Sequence, residues 1–346
     1  MTVISDAKNH VAHIVLNRPD KLNALTKEMF KILSRDFKIY DEDPTIKTIL
    51  VESMGRGSFS AGGDVIEMYR DIAENESLEE RAVFFDLEYT MDLDLHHLKT
   101  PYVALWEGVV MGGGAGMTIS ADVIFADNTV QWAMPETRLG FCPDVGMGYY
   151  LSQLPQPIAM YLGLSGTPIT GSDLVRLGLA THYIDPKKLP IVRSEVLAVR
   201  KKNTAEETIK ELKDIGDWHC KPLEDTPMTR DMEAINHYYS APTLKEIMVR
   251  LEEGDDPFDK HHSAVLKQRC PLALALQFEK YFAGKDLSLA DTYALDKKII
   301  LDGIVRGNVQ EGVRVAMIDK GDTPTWSPAT LDEVTPKMVK EILSLD

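Results

Sequence analysis

No apolar run in this 346-residue chain approaches the roughly 20 residues that a membrane-crossing helix needs. Cysteine is scarce. Three residues, Cys142, Cys220 and Cys270, fit neither a disulfide framework nor a zinc site. Positive charge is outnumbered: 38 Lys and Arg stand against 54 Asp and Glu, a net charge of −16. Such a surface repels a polyanion at long range, which argues against nucleic-acid binding. It leaves room for one small anionic ligand held by a few local basic groups. The opening residues MTVISDAKNHVAHIVLN run quickly into a strand pattern and lack the basic, acid-poor texture of a targeting peptide, so a cytoplasmic protein with no membrane attachment is expected.

Apolar residues make up an ordinary 44%, enough for one large core or one core with a smaller second unit. The first half alternates strand and helix periods. Residues 10–17 and 45–53 predict strands, and 25–42 an amphipathic helix with Leu25, Met29, Phe30, Leu33 and Phe37 on one face. A helix is expected from about Val65, another over 78–98, a buried strand at YVALW (102–106), and short strands over 122–127 and 129–134. These are repeated strand–strand–helix units rather than the regular βαβα of a doubly wound sheet. Past Leu189 the texture turns to helices and polar connectors, including a long helical segment over 271–282. The expected division is therefore 1–195 and a mostly helical 196–346.

Glycine is concentrated where it can do chemistry. SFSAGGD (58–64) and VVMGGGAGM (109–117) each follow a predicted strand and precede a predicted helix. The second lacks the GxGxxG of a dinucleotide fingerprint and the Lys-Ser/Thr of a phosphate-binding loop. Close packing of strand on helix would by itself explain bare backbone. Two such loops, however, supply one exposed N–H donor each, which is what a developing oxyanion needs. Acyl chemistry fits better than nucleotide redox chemistry.

Two acids follow in MPETRLGFCPDVGMGYYL (134–151): Glu136 after Pro135, and Asp144 after Pro143. Alone, Glu136 reads as a solvated loop carboxylate and Asp144 as a helix N-cap. Together, in unlike surroundings, they can divide proton handling from attack or orientation.

NRPDKLNAL (17–25), SFSAGGD, VVMGGGAG and PETRLGFCPDVG together resemble the crotonase (enoyl-CoA hydratase/isomerase) superfamily. AMPETRLGFCPDVGMGYYL and EGVRVAMIDKGDTPTWSP (311–328) are most similar to its 3-hydroxyisobutyryl-CoA hydrolase branch. The resemblance covers nearly the whole chain. It implies an α/β fold, a crotonase-like spiral of ββα units with a mostly helical C-terminal part. It implies oxyanion donors at the amides of Gly63 and Gly113, and an acyl-CoA substrate whose adenine lies against Ala61 and whose phosphates meet Arg18 or Lys21. It makes Glu88, in FFDLEYTMD, a substrate-contacting acid; from the residues alone Glu88 reads as helix surface. The implied reaction is hydrolysis of a 3-hydroxyacyl-CoA thioester, giving 3-hydroxyisobutyrate and CoA in valine breakdown, with Glu136 and Asp144 as the working pair. No cofactor is required, because CoA arrives with the substrate. Relatives often trimerise through C-terminal helices, so a homo-oligomer is possible.

Two departures bear on the reaction. Where a hydratase carries its first catalytic glutamate, three residues past the middle glycine, this chain has Gly116; where hydratases commonly have glycine it has Asp144. Loss of one acid and gain of another favours thioester cleavage over hydration. Met147 replaces a glycine of the hydrolase pattern, a change that bears on acyl preference if it borders the pocket. Other features read as structural. His96–His97 and His261–His262 read as solvated pairs, Cys142 as a packed thiol and Trp326 as a packing anchor. The tail, with Thr335 as cap and Met338, Val339, Ile342 and Leu345 on one face, reads as a docking helix.

Overall fold

A computed structural model describes residues 1–55 and 57–344. Val3–Lys8 (β1) and Val11–Leu16 (β2) form an antiparallel hairpin. Its turn residues Asn9 and His10 both take positive φ, 53° and 72°, as the right-handed twist of a tight hairpin demands. Thr48–Ser53 (β3), Tyr102–Trp106 (β5), Val123–Ala126 (β7) and His182–Tyr183 (β9) then add in parallel, in the order β1-β2-β3-β5-β7-β9. β5 and β7 are buried at every residue, which is why they read as unbroken apolar runs.

The strands missing from that order make a second sheet. Ser58–Ser60 (β4), Val109–Met111 (β6) and Gln131–Ala133 (β8) lie in the order β4-β6-β8. Each β-pair, β3–β4, β5–β6 and β7–β8, leads into a helical turn: Val65–Glu74 (α2), Gly113–Gly116 (α4) and the 3₁₀ turn Glu136–Arg138. This is the repeated ββα unit expected from the pattern.

Lys27–Glu42 (α1) buries Met29, Phe30, Leu33 and Phe37, and the Thr26 side chain caps it by accepting from Met29 N. Leu25 is buried but lies ahead of the cap, in an isolated parallel bridge with Gly63. Asp64 caps α2, accepting from the amides of Ile66 and Glu67. Leu78–His96 (α3) precedes β5. After β9 the chain is helical, ending in Pro336–Leu343 with Thr335 as cap and Val339 and Ile342 buried; Leu345 lies outside the described residues.

The compact units follow space rather than the chain. Met1–Gly63, Leu87–Trp132 and Ile169–Pro227 form one, built on the six-stranded sheet. Its core includes Leu50, Val103, Leu105, Phe125, Val192 and Leu212. Asp64–Asp86, Ala133–Pro168 and Met228–Asp346 form the other, where Cys142, Cys270, Leu276, Leu295, Ile299 and Trp326 pack together. Each unit draws on segments from both sides of residue 195.

Candidate active site

In the first unit, β4 and β6 are parallel neighbours, with Ser58 opposite Val109 and Ser60 opposite Val110, so the loops that leave them emerge at the same end. Glycine lets those loops touch. A Cβ on Gly62 (φ +91°) would stand 2.9 Å from Met111 O and 3.2 Å from Gly113 N. A Cβ on Gly113 would stand 3.5 Å from Gly63 N, so the two amides are near neighbours. Leu25 N donates to Gly62 O at 2.8 Å, fixing the first loop beside Gly63. Neither Gly63 N–H nor Gly113 N–H donates to a backbone carbonyl among the described residues. Since α4 is a single turn, an anion here would be held by these amides individually and not by a long helix dipole.

Glu88 belongs to this place and not to the helix surface. It is 3% exposed, and its Oε1 lies 1.8 Å from where a Gly113 Cβ would be. The carboxyl fills the space that the missing side chain leaves. The 17–25 loop is laced to the same strand. Asn23 Nδ2 donates to Ser58 O at 2.9 Å, Ser60 Oγ to Asn23 O at 3.0 Å, and Ala61 N to Leu22 O at 2.9 Å. Ala61 therefore sits against the loop that carries Arg18 and Lys21. Arg18 Nη1 donates to Ala24 O at 2.9 Å and so serves the loop itself, whereas Lys21 is exposed.

In the second unit, Glu136 opens the 3₁₀ turn after β8 and is 4% exposed, with no hydrogen-bond partner for Oε2 among the described residues. The reading of a solvated loop acid is overturned. Its turn is anchored on both sides: Thr137 Oγ1 donates to Leu164 O at 3.0 Å, and Cys270 N to Thr137 O at 3.0 Å. Asp144 is 5% exposed, and the N-cap reading fails as well. The following helix, Met147–Ser152 (α5), starts at a Gly146 cap with no side-chain cap bond. Burial, and after it the charge of Asp144, raises the proton affinity of Glu136 well above the ordinary carboxylate range; Lys280 opposes the shift.

Sequence reasoning missed Lys280 and Asp296. Both are almost wholly buried and ion-paired to each other. Lys280 Nζ also donates to Pro143 O at 2.6 Å, and Asp296 Oδ2 accepts from Gly146 N at 3.0 Å. A signal was present: in PLALALQFEKYF, Lys280 falls four and eight residues after Leu276 and Leu272, on the apolar stripe. Removing one member of a buried pair strands the other. Lys280→Ala is therefore expected to cost about 3–5 kcal/mol in urea denaturation; a loss below about 1 kcal/mol would show that the pair contributes no such constraint.

His262 corrects another expectation. It is buried, with its ring nitrogen Nδ1 2.8 Å from Tyr239 OH, and burial pushes its pKa down to about 4. Adjacent helical residues point about 100° apart, so His261 faces out while His262 faces in. His96 and His97 are exposed. Cys142 is a packed thiol: Sγ lies 3.3 Å from Ala273 O, and burial raises its pKa far above the usual thiol value. Met147 is fully buried at the first turn of α5. No group of three or more His, Cys, Asp or Glu among the described residues has metal-binding geometry.

The sequence pattern of the enoyl-CoA hydratase/isomerase family matches residues 11–343. The chain belongs to that family. It is 33% identical over 333 residues to the 3-hydroxyisobutyryl-CoA hydrolase, mitochondrial, of Gallus gallus, a match covering 94% of this chain and 84% of that protein. To the Homo sapiens protein of the same name it is 32% identical over 340 residues, 96% of this chain and 86% of the relative. Among solved structures, a carnitinyl-CoA dehydratase from Mycobacterium thermoresistibile superposes with a TM-score of 0.89 at 27% identity, covering 100% of this chain and 97% of that one. An enoyl-CoA hydratase from Rhodobacter sphaeroides gives 0.87 at 26% identity, covering 99% and 97%. The architecture is the crotonase fold of this family.

Proposed function

We propose that this family member hydrolyses a 3-hydroxyacyl-CoA thioester, with 3-hydroxyisobutyryl-CoA as the first substrate to test. The observation that carries the reading is the buried Glu136 beside the buried Asp144, in a chain that has Gly116 where a hydratase would place an acid. The similarity to proteins named 3-hydroxyisobutyryl-CoA hydrolase supports it.

In this reading the amides of Gly63 and Gly113 donate to the thioester oxygen as it gains charge. A Glu136 oxygen attacks the thioester carbon, the C–S bond breaks, and CoA leaves as a thiolate that takes up a proton. Water then opens the resulting mixed anhydride to free acid and carboxylate. The alternative route has Glu136 take the proton of a water that attacks directly. In single turnover in ¹⁸O-water, label entering Glu136 supports the anhydride route with water attacking the Glu136 carbonyl carbon, since direct attack of water on the thioester leaves none there. Asp144 holds the substrate hydroxyl or relays the proton, and Glu88 contacts the acyl group beside Gly113. For the CoA phosphates, exposed Lys21 is better placed than Arg18, which is engaged with Ala24 O. The adenine lies against Ala61. In a valine-degrading cell the products are 3-hydroxyisobutyrate and CoA.

The dehydratase and hydratase named among the similar structures favour one rival, hydration of an enoyl-CoA by a single carboxylate. Thiol release from 3-hydroxyisobutyryl-CoA, measured beside loss of enoyl absorbance from crotonyl-CoA, decides between them. Thiol from the hydroxyacyl substrate alone is the expected result. Absorbance loss without thiol would replace hydrolysis by hydration.

A further inference from the structure

The turn that carries Asp144 is bound by three side chains more than 130 residues away in the sequence. Val145 has φ +48°, a conformation that a β-branched residue adopts only under constraint. The backbone groups around it are bound from two helices of the same unit, Pro271–Ala283 and Leu289–Arg306. Lys280 Nζ donates to Pro143 O at 2.6 Å, Tyr293 OH donates to Val145 O at 3.1 Å, and Asp296 Oδ2 accepts from Gly146 N at 3.0 Å. The Lys280–Asp296 ion pair closes the ring. Glycine seats the backbone against these side chains. A Cβ on Gly146 would come within 3.0 Å of the Tyr293 ring, and one on Gly148 within 2.6 Å of Lys280 Cε.

We infer that Lys280, Asp296 and Tyr293 form a clamp that fixes the backbone on both sides of Asp144, and that they are positioning residues for the reaction. The inference rests on the hydrolysis reading above. Stability alone gives a weak reason for such a clamp, because a buried ion pair replaced by apolar groups of similar volume often leaves stability unchanged or higher. What apolar side chains cannot do is bind Pro143 O and Gly146 N with defined direction. Pinning those groups limits where the Asp144 carboxylate can go, and a misplacement of about 1 Å at a reacting group costs on the order of 100-fold in rate.

The test uses the full chain and 3-hydroxyisobutyryl-CoA, with kcat and KM, thermal midpoint, and hydrogen exchange of the Val145–Met147 amides read together. Lys280→Met with Asp296→Leu removes both charges at once, so neither charge is stranded, while Pro143 O and Gly146 N lose their side-chain partners. It is expected to stay folded with a lowered thermal midpoint, since two buried backbone groups lose partners, to lose about 100-fold in kcat with KM changed less than about threefold, and to exchange faster at Gly146. Lys280→Met with Asp296→Asn restores an acceptor for Gly146 N and is expected to recover part of kcat. Tyr293→Phe keeps the ring and removes only the bond to Val145 O; it is expected to lose several-fold in kcat and decides the matter if the double variants do not fold. A folded Met/Leu variant with wild-type kcat and exchange overturns the clamp while leaving the hydrolysis reading intact. If the double variants do not fold, wild-type behaviour of Tyr293→Phe does the same. Wild-type protein that releases no thiol overturns the hydrolysis reading and this role with it.

Discussion

Glutamine at position 136 is expected to lower kcat for thiol release by about 10³-fold or more, with the thermal midpoint preserved or raised. The amide matches the carboxyl in size but neither attacks nor accepts a proton, and general-base or nucleophilic groups are worth about 10²–10⁴-fold or more. Stability should not suffer, because Glu136 is buried and Oε2 has no partner among the described residues, so the carboxyl makes a poor structural contribution there. The wild-type pH profile gives an independent readout. Burial, then the Asp144 charge, raises Glu136's proton affinity. Activity that needs the carboxylate is therefore low in acid, rises with pH through a midpoint above the usual glutamate range, and levels off beyond it. Asp144→Asn removes a negative neighbour, so the residual activity should show that midpoint at lower pH. A midpoint unmoved by Asp144→Asn would mean the two carboxyls do not sense each other during turnover. Full activity in Glu136→Gln would end the case for Glu136 as base or nucleophile.

Gly113→Ala should be nearly as damaging, for a steric reason. The new methyl would stand 1.8 Å from Glu88 Oε1 and 3.5 Å from Gly63 N. Glu88 can yield only by moving its carboxyl away from the second glycine loop, and the methyl then crowds the two amides. Loss of one oxyanion donor typically costs about 10²–10³-fold, and kcat/KM is expected to fall by that much or more. Because the first atom displaced is the end of a side chain and not backbone, the protein should remain folded, as circular dichroism would show. A folded Gly113→Ala variant with kcat/KM within threefold of wild type would show that Glu88 yields without disturbing the two amides, and would overturn the steric argument.

Parts of this site were legible in local pattern. The strand-then-glycine order of SFSAGGD and VVMGGGAGM pointed to two bare loops, and the structure brings Gly62 and Gly113 within van der Waals reach. Loop-forming glycine and strand periodicity are properties of a few consecutive residues, so they survive reading in one dimension. The resemblance added Glu88, which residue type alone placed on a helix surface and which the structure buries beside Gly113. Other readings failed for one reason, that charge is a poor guide to burial when a partner can be far away in sequence. Glu136 and Asp144 looked like a solvated acid and a cap; both are buried, and the helix that Asp144 seemed to start begins at Met147. His262 looked like half of a solvated pair and is a buried neighbour of Tyr239.

By itself, then, the sequence determined the ββα repeats, the helical C-terminal part, the two glycine loops, and the presence of two acids close behind them. All of these follow from backbone propensity and side-chain period within single segments. Only the tertiary structure decided that Glu136 lies out of water, that Gly63 and Gly113 present neighbouring amides, and that the turn around Asp144 is tied down by Lys280, Tyr293 and Asp296. Lys280 and Pro143 are 137 residues apart, and Asp296 and Gly146 are 150 apart. Hydrogen bonds across such separations form only when whole helices dock, and it is docking, not local pattern, that sets the burial and proton affinity of a carboxyl group.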